Sequence, residues 1–186
     1  MITRKTKETD ISATLDLSGN AIEISTGVGF FDHMLTALAT HAGFGLTLNC
    51  TGDLEVDAHH TVEDCGIVLG QALAEAQGSK TGVARFGSAA IPMDEALAEA
   101  HVDISGRPFL AFNAKFSQEV TGEFSLCLCE EFFRAFAFNA GITLHLRLHY
   151  GANGHHECEA LFKAAAHALR KALEPKEGVL STKGSI

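Results

Sequence analysis

Apolar and polar residues alternate twice near the start of the chain, over Ile11 to Leu17 and over Ala21 to Ser25, with Ser18-Gly19-Asn20 between them. Alternation gives a strand one apolar face, and Ser-Gly-Asn supplies turn chemistry, so the pattern predicts two strands joined by a turn. The period then changes. Phe31, Leu35, Leu38 and Ala39 recur at helical spacing within Phe30 to His41, and Gly43 stands where a helix end calls for a left-handed residue. Phe44 to Cys50 reads as a strand and Asp53 to Asp57 as a second extended piece. Thr61 to Gln77 is helical, with Val62, Leu69 and Leu73 among its apolar positions and Gly78 as its end.

The second half repeats this grammar. Val83 to Met93, Ala96 to Ile104 and Pro108 to Phe116 read as strands, with Ser105-Gly106-Arg107-Pro108 as one clear turn. A helix follows from about Phe124 to Asn139, closing near Gly141. Then come a strand from Ile142 to Tyr150, a loop from Gly151 to Gly154, and a last helix from His155 to Leu173 that Pro175 stops. The whole reads as a mixed α/β chain in which strands, helix, strand and helix occur twice over.

Laying one half on the other exposes an internal repeat. Gly43 lies ten residues after His33, and Gly141 lies ten after Glu131. Leu46-Thr47-Leu48 matches Ile142-Thr143-Leu144 with a two-residue slide. His59-His60-Thr61-Val62-Glu63 matches His155-His156-Glu157-Cys158-Glu159, and both clusters open a long amphipathic helix. Two similar α/β halves related by a pseudo-twofold axis follow from this.

Composition narrows the function. Hydrophobic residues make up 46% of the 186 and charged residues 20%, which is globular rather than disordered. The formal charge of -9 is the wrong sign for a general nucleic-acid binder. No apolar run approaches the roughly 18 residues of a membrane helix, and Met1 to Asp10 lacks the apolar centre of a signal peptide, so a cytoplasmic location is expected. The five cysteines, Cys50, Cys65, Cys127, Cys129 and Cys158, form no Cys-x-x-Cys pair. They read as small buried residues rather than as a disulfide frame or a zinc knot.

The histidine clusters carry the chemistry. Glu63 is four residues after His59 and three after His60, so all three can converge on one side of a first helical turn. His155, His156 and Glu159 repeat the arrangement. Imidazole and carboxylate donors suit Mn, Fe, Zn or Ni. A single such pair is ordinarily a solvated helix cap; its recurrence at the same spacing favours a metal. His33 lies in the apolar run Phe30-Phe31-Asp32-His33-Met34-Leu35, where a lone histidine is usually a satisfied core residue, and its place in the repeat makes it a candidate ligand. His41, His101 and His167 follow no pattern and read as structural or surface residues. His145 and His149 share a strand face, as outer support to a site or as solvated positions.

Taken together these residues resemble the imidazoleglycerol-phosphate dehydratase family nearly end to end. The likeness runs through Arg4-Lys5-Thr6-Lys7-Glu8-Thr9, Gly29 to Leu35, Asp57 to Asp64, Arg85-Phe86-Gly87, Ser105 to Pro108, Phe132-Phe133-Arg134, His155-His156 with Glu159, and Ser181-Thr182-Lys183-Gly184. The resemblance implies two duplicated βαβ-like halves, residues 1–92 and 93–186, with helices packed on one side of mixed sheets, a ribosomal protein S5 domain 2-like fold. It implies two Mn2+ ions per active site, held by His33, His59, His60, Glu63, His155, His156 and Glu159. Glu131 stands where many relatives carry a histidine ligand, and the repeat sets it opposite His33. Glu63 and Glu159 thereby belong to the catalytic centre.

The implied reaction removes water from imidazoleglycerol phosphate to give imidazole acetol phosphate, in histidine biosynthesis. Metals on the two ring nitrogens would favour an imidazolate that expels the neighbouring hydroxyl. By resemblance Glu8 is the base and, with His33, touches substrate, while Arg85, Arg107, Ser181, Thr182 and Lys183 bind its phosphate. A large homo-oligomer of twenty-four subunits, with sites between neighbours, is also implied. Two other readings of the clusters compete: a metallohydrolase using metal-bound water, and a non-catalytic metal-storage shell. Gly27-Val28-Gly29 is not a phosphate loop, because the third glycine of that motif is replaced by Asp32.

Overall fold

The computed structural model describes residues 1–79, 81–178 and 181. Its first half runs β1 (Ile2–Lys5), β2 (Thr9–Asp16), β3 (Ile22–Ser25), α1 (Gly29–Ala42), β4 (Gly45–Gly52) and α2 (His59–Gln77). The second half runs β5 (Phe86–Met93), β6 (Ala96–Asp103) and β7 (Phe109–Asn113), then a short ribbon of β8 (Val120–Thr121) and β9 (Phe124–Ser125). It closes with α3 (Leu128–Ala140), β10 (Thr143–Tyr150) and α4 (Gly154–Ala172).

The two sheets have orders β1-β2-β4-β3 and β5-β6-β10-β7, so the halves share one topology. In each, the last two strands are parallel and a helix makes the crossover: α1 between β3 and β4, α3 between β7 and β10. The expected mixed α/β duplication is therefore present. Burial alternates along the strands. Ile11 and Ala13 of β2 lie opposite Cys50 and Leu48 of β4, all buried, while Asp10, Thr14, Thr47 and Asn49 are exposed. One face of each sheet thus meets helices and the other is polar.

The helices of the two halves meet each other across the middle, α1 against α4 and α2 against α3. Glycine permits the second contact. A Cβ on Gly66 would lie 2.7 Å from the Phe132 carbonyl oxygen, and one on Gly70 would lie 2.6 Å from that of Phe136. Phe132 and Phe133 of α3 pack on Phe162 of α4, with ring centroids 5.3 and 4.7 Å apart. The Phe31 ring of α1 meets Phe132 of α3 at 5.4 Å, and burial of these rings, each of which removes roughly 150 Å² or more from water, ties the halves into one core.

Local structure departs from the sequence pattern in four places. Ile2–Lys5 is a strand, too short and too charged for its alternation to register in the sequence. Asp53 to Asp57 is not extended: the amide of Val56 donates to the Asp53 carbonyl, closing a turn. Phe124 belongs to β9 rather than to a helix, because Gly122 at φ +60 turns the chain and lets β8 and β9 pair; α3 begins only at Leu128. The sheets divide between Gln77 and Phe86, since β5 pairs with β6 along its whole length, and a boundary at residue 92 falls inside that strand.

Candidate metal centre

α1 and α4 run parallel and in register, which brings three predicted ligands together. His33 comes from α1; His155 and Glu159 come from the start of α4, which Asn153 caps by accepting the His155 amide at 2.9 Å. The Nε2 atoms of His33 and His155 each lie 3.1 Å from Oε2 of Glu159. One donor atom from each residue fits within a sphere of contact of 4.8 Å. The other carboxylate oxygen, Oε1, lies 2.6 Å from Lys163 Nζ. Burial opposes ionisation of Glu159, but Lys163, His33 and His155 outweigh it and hold the carboxyl at about 2. The Phe30 ring stands edge-on to His155 at 5.1 Å, and an open cleft of about 680 Å³ reaches from His155 past Phe30, Leu54 and Ala58.

The related set on α2 and α3 is looser. His59 Nε2 and Glu63 Oε2 are 3.7 Å apart at the start of α2, and both side chains are nearly half exposed. Glu131 is on the facing helix, but its carboxylate is turned onto Arg134 Nη1 at 3.0 Å. Among the described residues, His33, His155 and Glu159 are the one group whose donors converge.

His60 and His156 point elsewhere. His60 Nδ1 faces the Asp53 carboxylate at 3.0 and 3.1 Å, and its Nε2 lies 3.9 Å from Glu8. His156 Nδ1 faces Glu95 at 2.8 Å, and its Nε2 lies 3.6 Å from Asp94. The carboxylates raise both imidazole pKa values, Asp53 contributing most for His60 and Glu95 for His156. Glu8 sits in the β1–β2 connection, and Asp94 and Glu95 in the equivalent β5–β6 connection, so each hairpin delivers acid to the second histidine of its own half.

Buried Asp64 sets the first hairpin in place. It accepts from the Thr9 hydroxyl at 2.5 Å, and its Oδ1 lies 2.9 Å from Arg4 Nε. The residue next to Thr9 is Glu8, so the predicted base is held through its neighbour. Arg85 and Arg107 share Asp103: Arg85 Nε lies 2.7 Å from Oδ1, and Arg107 Nη2 lies 3.6 Å from Oδ2. Asp103 raises the Arg85 pKa and keeps that cation charged. Ser181 is half-buried, and Thr182 and Lys183 lie outside the described residues.

Sequence reasoning passed over Asp53, Asp94, Glu95, Asp64, Asp103 and Lys163. One signal pointed to Lys163, four residues beyond Glu159 on the same helix; the others are contacts across the fold. The unpatterned histidines found partners too. His41 Nδ1 and His167 Nε2 stand 3.2 Å apart between α1 and α4, and His101 meets Ser88 on an exposed sheet face. Cys50, Cys65, Cys129 and Cys158 are buried as expected, whereas Cys127 is exposed because it lies just outside the first turn of α3.

Two imidazole nitrogens and a carboxylate oxygen, converging on one spot, match the ligand chemistry of Mn, Fe, Zn or Ni, and the residues present fit such an ion. The family of imidazoleglycerol-phosphate dehydratase matches residues 26–169. The dehydratase of Alkaliphilus metalliredigens is 56% identical over 98% of this chain and 96% of its own. One from Cereibacter sphaeroides is 55% identical over 100% of this chain and 97% of its own. Among solved structures, the Staphylococcus aureus enzyme superposes with a TM-score of 0.85 at 45% identity, covering 94% of this chain and 98% of that one. The Pyrococcus furiosus enzyme gives 0.88 at 39% identity, covering both chains fully.

Proposed function

Because this chain belongs to the imidazoleglycerol-phosphate dehydratase family and is a hydro-lyase of histidine biosynthesis, we propose that it dehydrates imidazoleglycerol phosphate at a two-manganese site built on its histidine clusters. The observation that carries the reading is the convergence of His33, His155 and Glu159. One ion would be held there. The second would be held by His59 and Glu63, with Glu131 joining once it leaves Arg134. His60 and His156 present their Nε2 atoms away from both sets, and we assign them to sites shared with neighbouring chains in a large homo-oligomer. Bound metal supplies Lewis acidity at the nitrogens of the substrate's imidazole ring.

The chain's own groups do the rest. Glu8, beside His60 and half exposed, takes the proton from carbon. Arg85 and Arg107 meet the phosphate with charged, forked donors, joined by Ser181, Thr182 and Lys183. Asp103 holds both arginines and keeps their forks oriented. Glu159, ionised and steadied by Lys163, keeps a negative charge facing the two imidazoles. Among the described residues no helix is long and apolar enough to cross a membrane, and we propose a cytoplasmic enzyme.

Purified protein loaded with Mn2+ should convert imidazoleglycerol phosphate to imidazole acetol phosphate. Activity should fall on chelation and return with Mn2+. Undiminished turnover by fully metal-stripped protein, or full metal content in the His33→Ala, His155→Ala double variant, would overturn the ligand assignment.

A further inference from the structure

The four histidines of the two clusters and His33 are not held alike. His33 and His155 use Nε2 toward Glu159 within the chain. His60 and His156 instead use Nδ1, toward Asp53 and Glu95. An ionised carboxylate only accepts, so in each pair the imidazole must donate, and the proton sits on Nδ1. In the neutral ring, the form that binds a metal, the opposite nitrogen, Nε2, then carries the lone pair.

We infer that Asp53 and Glu95 are positioning residues, each fixing the ring and tautomer of its histidine so that Nε2 is presented as a ready metal donor. This rests on the metal reading given above. The same arrangement of carboxylate, imidazole and metal strengthens ligands widely, by orienting the ring and raising its basicity. Two features argue against chance pairing. The partners come from non-equivalent places, Asp53 from the turn after β4 and Glu95 from the β5–β6 connection, yet both meet Nδ1 rather than Nε2. Glu95 is itself tied down, since one carboxylate oxygen accepts the Ala152 amide at 3.2 Å while the other faces His156. That second tie links the hairpin to the loop that leads into α4.

The test is Mn2+ affinity of the metal-free full-length protein, measured by calorimetry in Asp53→Ala, Asp53→Asn, Glu95→Ala and Glu95→Gln. The alanine variants should bind about 10- to 100-fold more weakly. The amide variants, whose carbonyl still accepts from Nδ1–H, should recover most of that loss, while all four keep the wild-type unfolding midpoint without metal within a few degrees. Wild-type Mn2+ affinity in the alanine variants, alongside loss of metal in His60→Ala and His156→Ala, would overturn the positioning role and leave the site standing. Retention of metal by the histidine variants as well would overturn the metal reading from which it starts.

Discussion

His33 Nε2 lies 3.1 Å from Glu159 Oε2 across 126 residues of sequence, and His41 meets His167 at the same separation. Two contacts at one offset show that α1 and α4 run parallel and in step. The ligand triad is thus a product of helix register. Glu159 is the point at which this register becomes electrostatic. Burial disfavours its charge, yet Lys163, His33 and His155 hold its carboxyl at about 2, below the ordinary 4.5. A depressed folded-state pKa stabilises the protein above the unfolded value and loses that contribution as pH falls from about 4.5 through 2. Discounted for nearby solvent, the effect is on the order of 2 kcal/mol. Metal-free protein should therefore lose stability over that window, and Lys163→Met should flatten the loss. Urea unfolding at a series of acid pH values is the check; identical slopes in the two proteins would contradict it.

Asp64 ties the hairpin carrying Glu8 to α2 by a hydroxyl and a guanidinium. Removing a buried carboxylate strands Arg4 without its partner and leaves the Thr9 hydroxyl unsatisfied, a loss of about 3 kcal/mol. Asp64→Ala should lower both the unfolding free energy and kcat, the latter because Glu8 loses its fixed approach to His60. Normal kcat at substrate saturation would show that the hairpin places Glu8 without Asp64.

At the other end of the substrate, Arg107 is mostly exposed and meets Asp103 on one side. A charge-assisted hydrogen bond contributes about 1.5–3 kcal/mol, so Arg107→Ala should raise KM about 10- to 100-fold with a smaller change in kcat. Inorganic phosphate should inhibit the wild type competitively and the variant far less. Equal inhibition of both would remove Arg107 from the phosphate site.

The histidine clusters were readable because their logic is local. The i, i+4 pairs His59–Glu63 and His155–Glu159 meet wherever their helices lie, and repetition of the pattern disclosed the second copy; His60 and His156, one position on, turn instead to Asp53 and Glu95, so the expected convergence of all three side chains does not form. Gly43 and Gly141 were readable for the same reason: both end helices in the left-handed region, at φ +75 and +64. What could not be read was set by closure of the fold. Asp53 reaches His60 only because a turn replaces the expected extended segment, and Glu95 reaches His156 across 61 residues. Likewise β8 and β9 have two residues each, too few for alternation to show. The pairing of Glu131 with Arg134 was legible at its spacing of three, but the expectation of a ligand there took no account of it.

Close approach of α2 to α3 makes a prediction about packing. A methyl at Gly70 would meet the Phe136 carbonyl oxygen at 2.6 Å and the Asn139 Cβ at 2.8 Å. Neither helix can absorb that without moving. Gly70→Ala gains about 1 kcal/mol in helix propensity but costs about 1–3 kcal/mol in overpacking. The unfolding midpoint should drop by a few degrees, and Gln71→Ala, whose bond to Asn139 is exposed, should hardly move it. A rise in the midpoint for Gly70→Ala would mean that the helices separate freely.

Metal removal should act on assembly as well as on turnover. The Nε2 atoms of His60 and His156 are turned away from the triad, toward Glu8 and Asp94 on hairpin tips. If those nitrogens complete sites on neighbouring chains, each ion is a ligand that binds the assembled form and not the separated subunits. Such a ligand stabilises assembly in proportion to the logarithm of its concentration over its dissociation constant. With ligands drawn from two sides of each contact, chelation should lower the sedimentation coefficient, and added Mn2+ should restore it. His156→Ala should shift the same equilibrium toward smaller species even with Mn2+ present, because it deletes a donor without touching the triad. A sedimentation profile that is unchanged by chelation would show that the ions and the subunit contacts are independent, and would leave the outward histidines needing another partner.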